Sequence, residues 1–185
     1  MTFLFKICWE NNMIYLFVEG PSDERFFTKI FLPLIGPGKP VRYSHERIQK
    51  INDFIHSIDR TPYLDYLFIA DSDGKTTEEK KGLLLSKYTN LTPEKIVVVH
   101  YEIESWYYAG ISEESCKRIK LRNFEFSTDG LTKEQFYSKL SRPSDVTYVL
   151  GRILSTYSLP LAITRNHSLN TFCSNIKKEP ANAVC

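Results

Sequence analysis

Three times within the first 110 residues a short apolar run breaks off at a carboxylate. Met13-Ile-Tyr-Leu-Phe-Val18 leads into Glu19-Gly20-Pro21, the stretch from Leu64 to Ala70 leads into Asp71-Ser72-Asp73-Gly74, and Ile96-Val-Val-Val-His100 is followed by Glu102 and Glu104. Continuous runs of β-forming residues are how strands covered on both faces read. Helical spacing fills the intervals. Behind Ser22, a capping residue with Asp23 and Glu24 in the first turn, come Phe26, Phe27, Ile30 and Phe31, and Pro33 with Gly36-Pro37-Gly38 is expected to stop that helix. Ile48, Ile51, Phe54, Ile55 and Ile58 make one stripe of a helix from Ser44 to Ile58, and further helices are expected from Thr76 to Tyr88 and from Glu102 to Ala109. Alternating strands and helices predict an α/β fold, a parallel sheet with right-handed crossovers and helices on its faces.

Beyond Ile111 the strand signal disappears and helices are expected within Lys133 to Leu140, from Ser144 to Tyr157 and from Ser168 to Lys177. The organisation expected is an α/β core over residues 1–110, with a helical C-terminal extension over 111–185 packed on it. Met13 directly precedes the first strand, so residues 1–12 read as a candidate upstream extension. A chain of 185 residues with 42% hydrophobic and 25% charged positions suits one ordinary globular domain with at most a small appendage. The 24 Lys and Arg against 22 Asp and Glu leave a net charge of +2, which gives no support to polyanion binding by bulk charge. Any such contact has to come from a local patch. No apolar run approaches the roughly 20 residues of a membrane span, so no membrane partner is expected. Trp9-Glu10-Asn11-Asn12 lacks the small-residue pattern of a secretory cleavage site, which makes cytoplasmic residence the default. Cys8, Cys116, Cys173 and Cys185 are too scattered for a zinc knuckle or a redox pair and read as free thiols.

In an open parallel sheet reactive groups collect beyond the carboxyl ends of the strands. That rule selects Glu19 and Asp23 after the first run, Asp71 and Asp73 after the second, and Glu102 and Glu104 after the third. Gathered at one rim, so many acids are unfavourable unless cations or raised pKa values neutralise them. Carboxylate oxygens are the hard ligands that Mg²⁺ or Mn²⁺ prefers, which makes a divalent ion the natural resident. Asp71 and Asp73 flank one residue, so on an extended segment their side chains project to the same side and share an ion. Gly20 lets a phosphate approach the backbone beside Glu19, a carboxylate suited to metal binding or to proton transfer. Taken singly, each motif has an ordinary reading: Glu-Gly as a turn, Asp-x-Asp-Gly as a loop, Glu102 and Glu104 as acids complementing a helix dipole. The threefold repetition is what points to a site.

At these residues the chain resembles the Toprim domain, the topoisomerase-primase fold, and most closely the small stand-alone Toprim proteins of prokaryotic defence and the overcoming-lysogenization-defect nucleases. The motifs that carry the likeness are Tyr15-Leu-Phe-Val-Glu19-Gly20-Pro-Ser-Asp23 and Tyr66-Leu-Phe-Ile-Ala-Asp71-Ser-Asp73-Gly74. Glu102-Ile-Glu104-Ser105-Trp106 is similar to a Glu-Ser-Trp segment of the stand-alone members, and Asn166-His-Ser168-Leu-x-x-Phe172 more loosely to their C-terminal helix. The resemblance implies a Toprim-like, Rossmannoid fold and a Mg²⁺- or Mn²⁺-dependent nuclease with one or two ions, serving anti-phage defence or DNA repair. Glu19 would act as general acid or base and metal neighbour, Asp71 and Asp73 would hold the ion, and Asp23 and Glu104 would be further ligands. A topoisomerase or a primase is not expected, because companion domains for either are absent from the sequence.

Two competing readings use the same residues. Asp71-Ser-Asp73-Gly74 imitates the nucleophilic loop of a haloacid-dehalogenase-like phosphatase, but Lys75 and the position on the second strand depart from that pattern. The other keeps the fold without catalysis, as a regulatory module binding nucleic acid or a partner. For grip on a nucleic-acid substrate, Lys117, Arg118, Lys120 and Arg122 form a basic run that reads either as a phosphate-binding stripe or as a solvated face. Arg165, with Asn166 and His167, is expected to begin the final helix and to meet a phosphate there. Small size and modest charge further suggest reliance on a separately encoded ATPase or on self-association as a homo-oligomer.

Overall fold

A computed structural model of the chain describes residues 12–122, 127–140 and 146–178. Residues 1–11 of the candidate extension over 1–12, with Cys8, the expected helix start at Ser144, and Cys185 lie outside the described residues. Four parallel strands, β1 (Met13–Val18), β2 (Gly38–Arg42), β3 (Leu64–Asp71) and β4 (Ile96–Val99), form one sheet in the order β2-β1-β3-β4. The α/β class read from the alternating pattern is the class observed. β1 is central, pairing Ile14 with Gly38 and Val18 with Arg42 on one side, and Met13 with Leu64 and Phe17 with Phe68 on the other. Strand order reverses across β1 and β3, so these two flank the switch point where open α/β sheets carry their ligands.

Residue contacts divide the described chain into two compact units that do not follow one cut in the sequence. The first takes residues up to Ala70, Thr76–Val98 and the residues from Phe172 on; the second takes Asp71–Lys75 and Val99–Thr171.

In the first unit, α1 (Pro21–Phe26) continues through a π turn, Phe27–Phe31, into α2 (Leu32–Ile35). Of the residues expected to stop this helix, Gly36 ends it, whereas Pro33 lies inside it beyond a widened turn. Pro33 has no N–H, and its ring would crowd the carbonyl four residues earlier, that of Lys29. The Leu32 N–H bonds the Phe27 carbonyl, five residues back, and the helix ends only at Gly36, at φ 110°. Two apolar groups cover this unit's sheet. Phe17, Tyr66, Phe68 and Ala70 pack with Tyr43, with Ile51, Ile55 and Ile58 of α3 (Ile48–Asp59), and with Leu84 of α4 (Thr77–Lys87). The Tyr43 and Phe68 rings stack at 4.4 Å. Alternate residues Ile14, Leu16 and Val18 turn to the opposite face and are also buried. Phe26, Phe27 and Phe31 form a separate ring cluster closed by Phe172, whose ring lies 4.9 Å from that of Phe31.

β2 and the late start of α3 differ from the sequence expectation. Gly38-Lys-Pro-Val-Arg42 shows no continuous apolar run, because glycine and proline punctuate it, yet it pairs along β1. Pro40 is tolerated because β2 is an edge strand, where a missing N–H can face away from the partner.

The second unit is built around α5 (Ile103–Ala109), every residue of which is buried. It packs against α7 (Lys133–Ser138), α8 (Val146–Ser155) and α9 (Leu159–Arg165); α6 (Glu113–Arg118) follows it in sequence. α6 and α9 are too short to have shown a periodic signal. α10 (His167–Lys178) begins in this unit at the expected position. Among the described residues no single helix is long and apolar enough to cross a membrane.

Candidate functional site

In the first unit the acidic residues follow β1 directly. Glu19 is half-buried, and its Oε2 accepts the Tyr43 hydroxyl at 3.4 Å. Tyr43 is itself fixed, since its N–H donates to the Val18 carbonyl at 3.0 Å and its ring stacks on Phe68. Asp23 is buried, at 4% exposure, and its Oδ2 accepts the N–H of the N-cap residue Gly20 at 3.0 Å, reaching back from the first turn of α1. Gly20 is in extended conformation, with φ −140°. An added Cβ there would meet Asp23 Oδ2 at 3.5 Å, an ordinary contact, so the glycine is not demanded by the backbone.

In the second unit Asp71 closes β3 and the chain then turns sharply. The Ser72 N–H donates to the Val99 carbonyl at 2.8 Å, the Ser72 hydroxyl accepts the Tyr101 N–H at 2.8 Å, and the Lys75 N–H returns to the Ser72 carbonyl at 3.0 Å. Asp73 and Gly74 sit at the tip with φ 51° and 76°. This corrects the expectation for the Asp-x-Asp pair. The extended geometry that would put Asp71 and Asp73 on one side ends at Asp71, and Asp73 is exposed on a left-handed turn.

Glu102 and Glu104, the third acidic pair, are both engaged by α7. Glu102 accepts the Lys133 N–H, and Glu104 Oε1 accepts the Tyr137 hydroxyl at 3.1 Å. Glu104 is only 2% exposed. Burial pushes its carboxyl above the usual glutamate range, a shift opposed by its own backbone N–H, by the Lys133 charge and by Tyr137. Tyr137 is likewise raised, first by burial and then by the neighbouring Glu104 charge.

The basic residues separate into two kinds. Lys117, Arg118, Lys120 and Arg122 are exposed; Lys117 pairs with Glu113 at 2.7 Å and Arg118 donates to Ser115 Oγ at 3.2 Å. Arg165 is different. It is 6% exposed and is the last residue of α9, where its Nη1 donates to the carbonyls of Ala109 at 3.0 Å and Ile111 at 2.7 Å. Its guanidinium therefore ties the C-terminal end of α5 to α9, which corrects its expected place at the head of the final helix. Early N–H groups of that helix are also used within the chain: His167 N–H donates to Asp129 Oδ1 at 2.6 Å and Leu169 N–H to Asn166 Oδ1 at 2.9 Å.

Tyr43, Ser72 and Tyr137, which hold or shape the acidic segments, were not selected by sequence. Each partner lies 24 or more residues away in the chain, and an isolated tyrosine or serine carries no periodic signal. The two described cysteines, Cys116 and Cys173, are buried and are not joined by a disulfide, the thiol state that their spacing implied. Among the described residues no three of His, Cys, Asp and Glu are grouped so as to hold an ion between them. The donors present are nonetheless all carboxylates, which suits Mg²⁺ or Mn²⁺. Mg²⁺ commonly takes one or two carboxylates and completes its octahedron with water and substrate phosphate. No protein-family model, curated protein or solved structure matches the chain.

Proposed function

We propose that this chain is a Toprim-type, divalent-metal-dependent nuclease that hydrolyses nucleic-acid phosphodiesters. The observation that supports the reading most is the strand order. β1 and β3 are parallel neighbours at the switch point of the sheet, Glu19 follows the first and Asp71 ends the second. By the resemblance, the candidate ligands of Mg²⁺ or Mn²⁺ are Glu19 and Asp23 after β1 and Asp71 and Asp73 at and after the end of β3, each carried over from its own motif. A bound ion supplies Lewis-acid stabilisation of the charge that builds on a phosphodiester under attack.

The chain's own contribution is to keep oxygen donors ordered. Tyr43 orients Glu19 through its hydroxyl, and the Gly20 N–H fixes one oxygen of the buried Asp23. Glu19 is the residue suited to accept or return a proton. The exposed set Lys117, Arg118, Lys120 and Arg122 offers the phosphate backbone a small basic face. So small a face is the reason to expect help from a separately encoded ATPase or a second copy, in defence or repair of DNA.

The test is calorimetric titration of Mn²⁺ into the wild type and into Asp71→Ala, beside cleavage assays on single- and double-stranded DNA and RNA. Mn²⁺ binding lost in Asp71→Ala, with metal-dependent cleavage, is the expected result. No Mn²⁺ binding and no cleavage would overturn the reading. Hydrolysis of a small phosphomonoester, abolished by Asp71→Asn, would replace it with a phosphatase.

A further inference from the structure

α4 turns little of its surface into the first unit. Leu84 is its one buried residue, whereas Glu79, Gly82, Leu83, Ser86 and Lys87 are all exposed. At about 100° per residue these five share one side of the helix. Leu83 is 53% exposed, a large apolar side chain left in water. Beside it, Gly82 sits in mid-helix, where glycine weakens the helix relative to almost any other residue. Among the described residues nothing lies within 4 Å of a Cβ added there, so no neighbour in the chain demands the glycine. What it permits is close approach from outside. The Ser86 hydroxyl is turned back onto the Leu83 carbonyl at 2.8 Å, which keeps that flank of the helix low.

Charge selects what approaches. Glu79 and Lys87 lie four residues to either side of Leu83. An antiparallel second copy of α4 centred on Leu83 brings each Glu79 opposite the partner's Lys87, whereas a parallel copy sets like charges together. One oxygen of Glu79 serves the cap at Thr76, and its carboxylate charge still faces outward. A face whose two ends are complementary to each other is self-complementary, as a two-fold interface requires.

We propose that this face of α4 is a self-association surface, on which two copies pack α4 antiparallel about a two-fold axis at Leu83. Gly82 and Ser86 allow the close approach, and the Glu79–Lys87 pairs at both ends set the direction. The inference is independent of the nuclease reading and of any metal. One short helix offers less than a standard interface, so the dimer is weak and concentration-dependent.

Sedimentation equilibrium of the full chain, run from dilute solution to about 1 mM, is the test. The wild type is expected to dimerise and to do so less at high salt. Leu83→Glu should remain monomeric, and Lys87→Glu should associate about tenfold more weakly. Gly82→Gln separates the surface from the fold: in dilute solution it should melt at a higher temperature than the wild type, because glycine is the poorer helix former, yet associate about tenfold more weakly. Leu83→Cys should form a disulfide-linked dimer under mild oxidation beyond any formed by the wild type, since a residue on the axis meets its own copy. A wild type that stays monomeric to about 1 mM would overturn the proposal. So would a dimer that Leu83→Glu and Gly82→Gln leave unchanged, which would lie on another face.

Discussion

The indole Nε1–H of Trp106 donates to Ser168 Oγ at 2.8 Å, and Ser168 Oγ donates onward to Asn166 Oδ1 at 2.9 Å. Two sequence motifs 62 residues apart, Glu-Ser-Trp on α5 and Asn-His-Ser at the head of α10, are thereby one hydrogen-bonded unit. Trp106 is fully buried, so Ser168→Ala strands an indole N–H away from water. The expected cost is about 1–3 kcal/mol, read as a lower urea midpoint at constant slope. An unchanged midpoint would mean that the N–H finds another acceptor.

Glu104 gives the fold a pH dependence of definite sign. Its carboxyl is raised above 4.5 in the folded chain, mainly by burial, so the folded state keeps a proton that the unfolded state releases. The stability this contributes is fully present below about pH 4.5 and is lost as pH rises through the folded value. Glu104→Gln has no proton to lose. The melting temperature of the wild type should therefore fall relative to that of Glu104→Gln as pH is raised from 4.5 to 7. Parallel melting curves across that window would contradict the assignment.

Gly110, just after α5, is required for a close approach. A Cβ there would lie 2.2–2.5 Å from ring atoms of Tyr157, whose hydroxyl is anchored on the Trp106 carbonyl at 2.9 Å. Because the ring is tethered, it cannot simply swing aside. Gly110→Ala should destabilise by about 1–3 kcal/mol, as overpacking does. In a double-mutant cycle with Tyr157→Ala the second substitution should relieve much of the first; additive losses would show that the ring is not the obstacle.

Cys116 should be chemically silent in the folded protein. Burial pushes its thiol up to about 11, more than the nearby Arg165 and Lys139 charges can offset, so little thiolate exists at pH 8. Alkylation by iodoacetamide, mapped by mass spectrometry, should be at least about tenfold slower at Cys116 than in denatured chain. Rapid folded-state labelling at that position would show that the surrounding helices open readily.

What could be read in the sequence were the features written in consecutive residues. β1, β3 and β4 are short apolar runs, α4 carries its own capping box at Thr76 and Glu79, and each declares itself locally. β2 does not, because glycine and proline hide a strand that only its pairing with β1 defines. The acidic segments after three strands were legible for the same reason as the strands. Their holders were not. Glu104 meets Tyr137 33 residues away, and Arg165 finds its carbonyls 54 and 56 residues back, so one tyrosine looked ordinary and one arginine looked available for a phosphate. The turn within the Asp-x-Asp motif was hidden for a different reason: whether two residues share a side depends on the backbone remaining extended, and a left-handed tip is invisible until the turn is built.

The π turn at Phe27–Phe31 takes up about one residue more than an ordinary turn of helix would need. Losing one residue there and returning to ordinary winding would leave α2 at nearly its present angle about the helix axis. Ile35 would keep its buried niche, and β2 would enter the sheet in its present alignment. A lineage of such chains should therefore admit a one-residue deletion in this turn more readily than inside the regular helices.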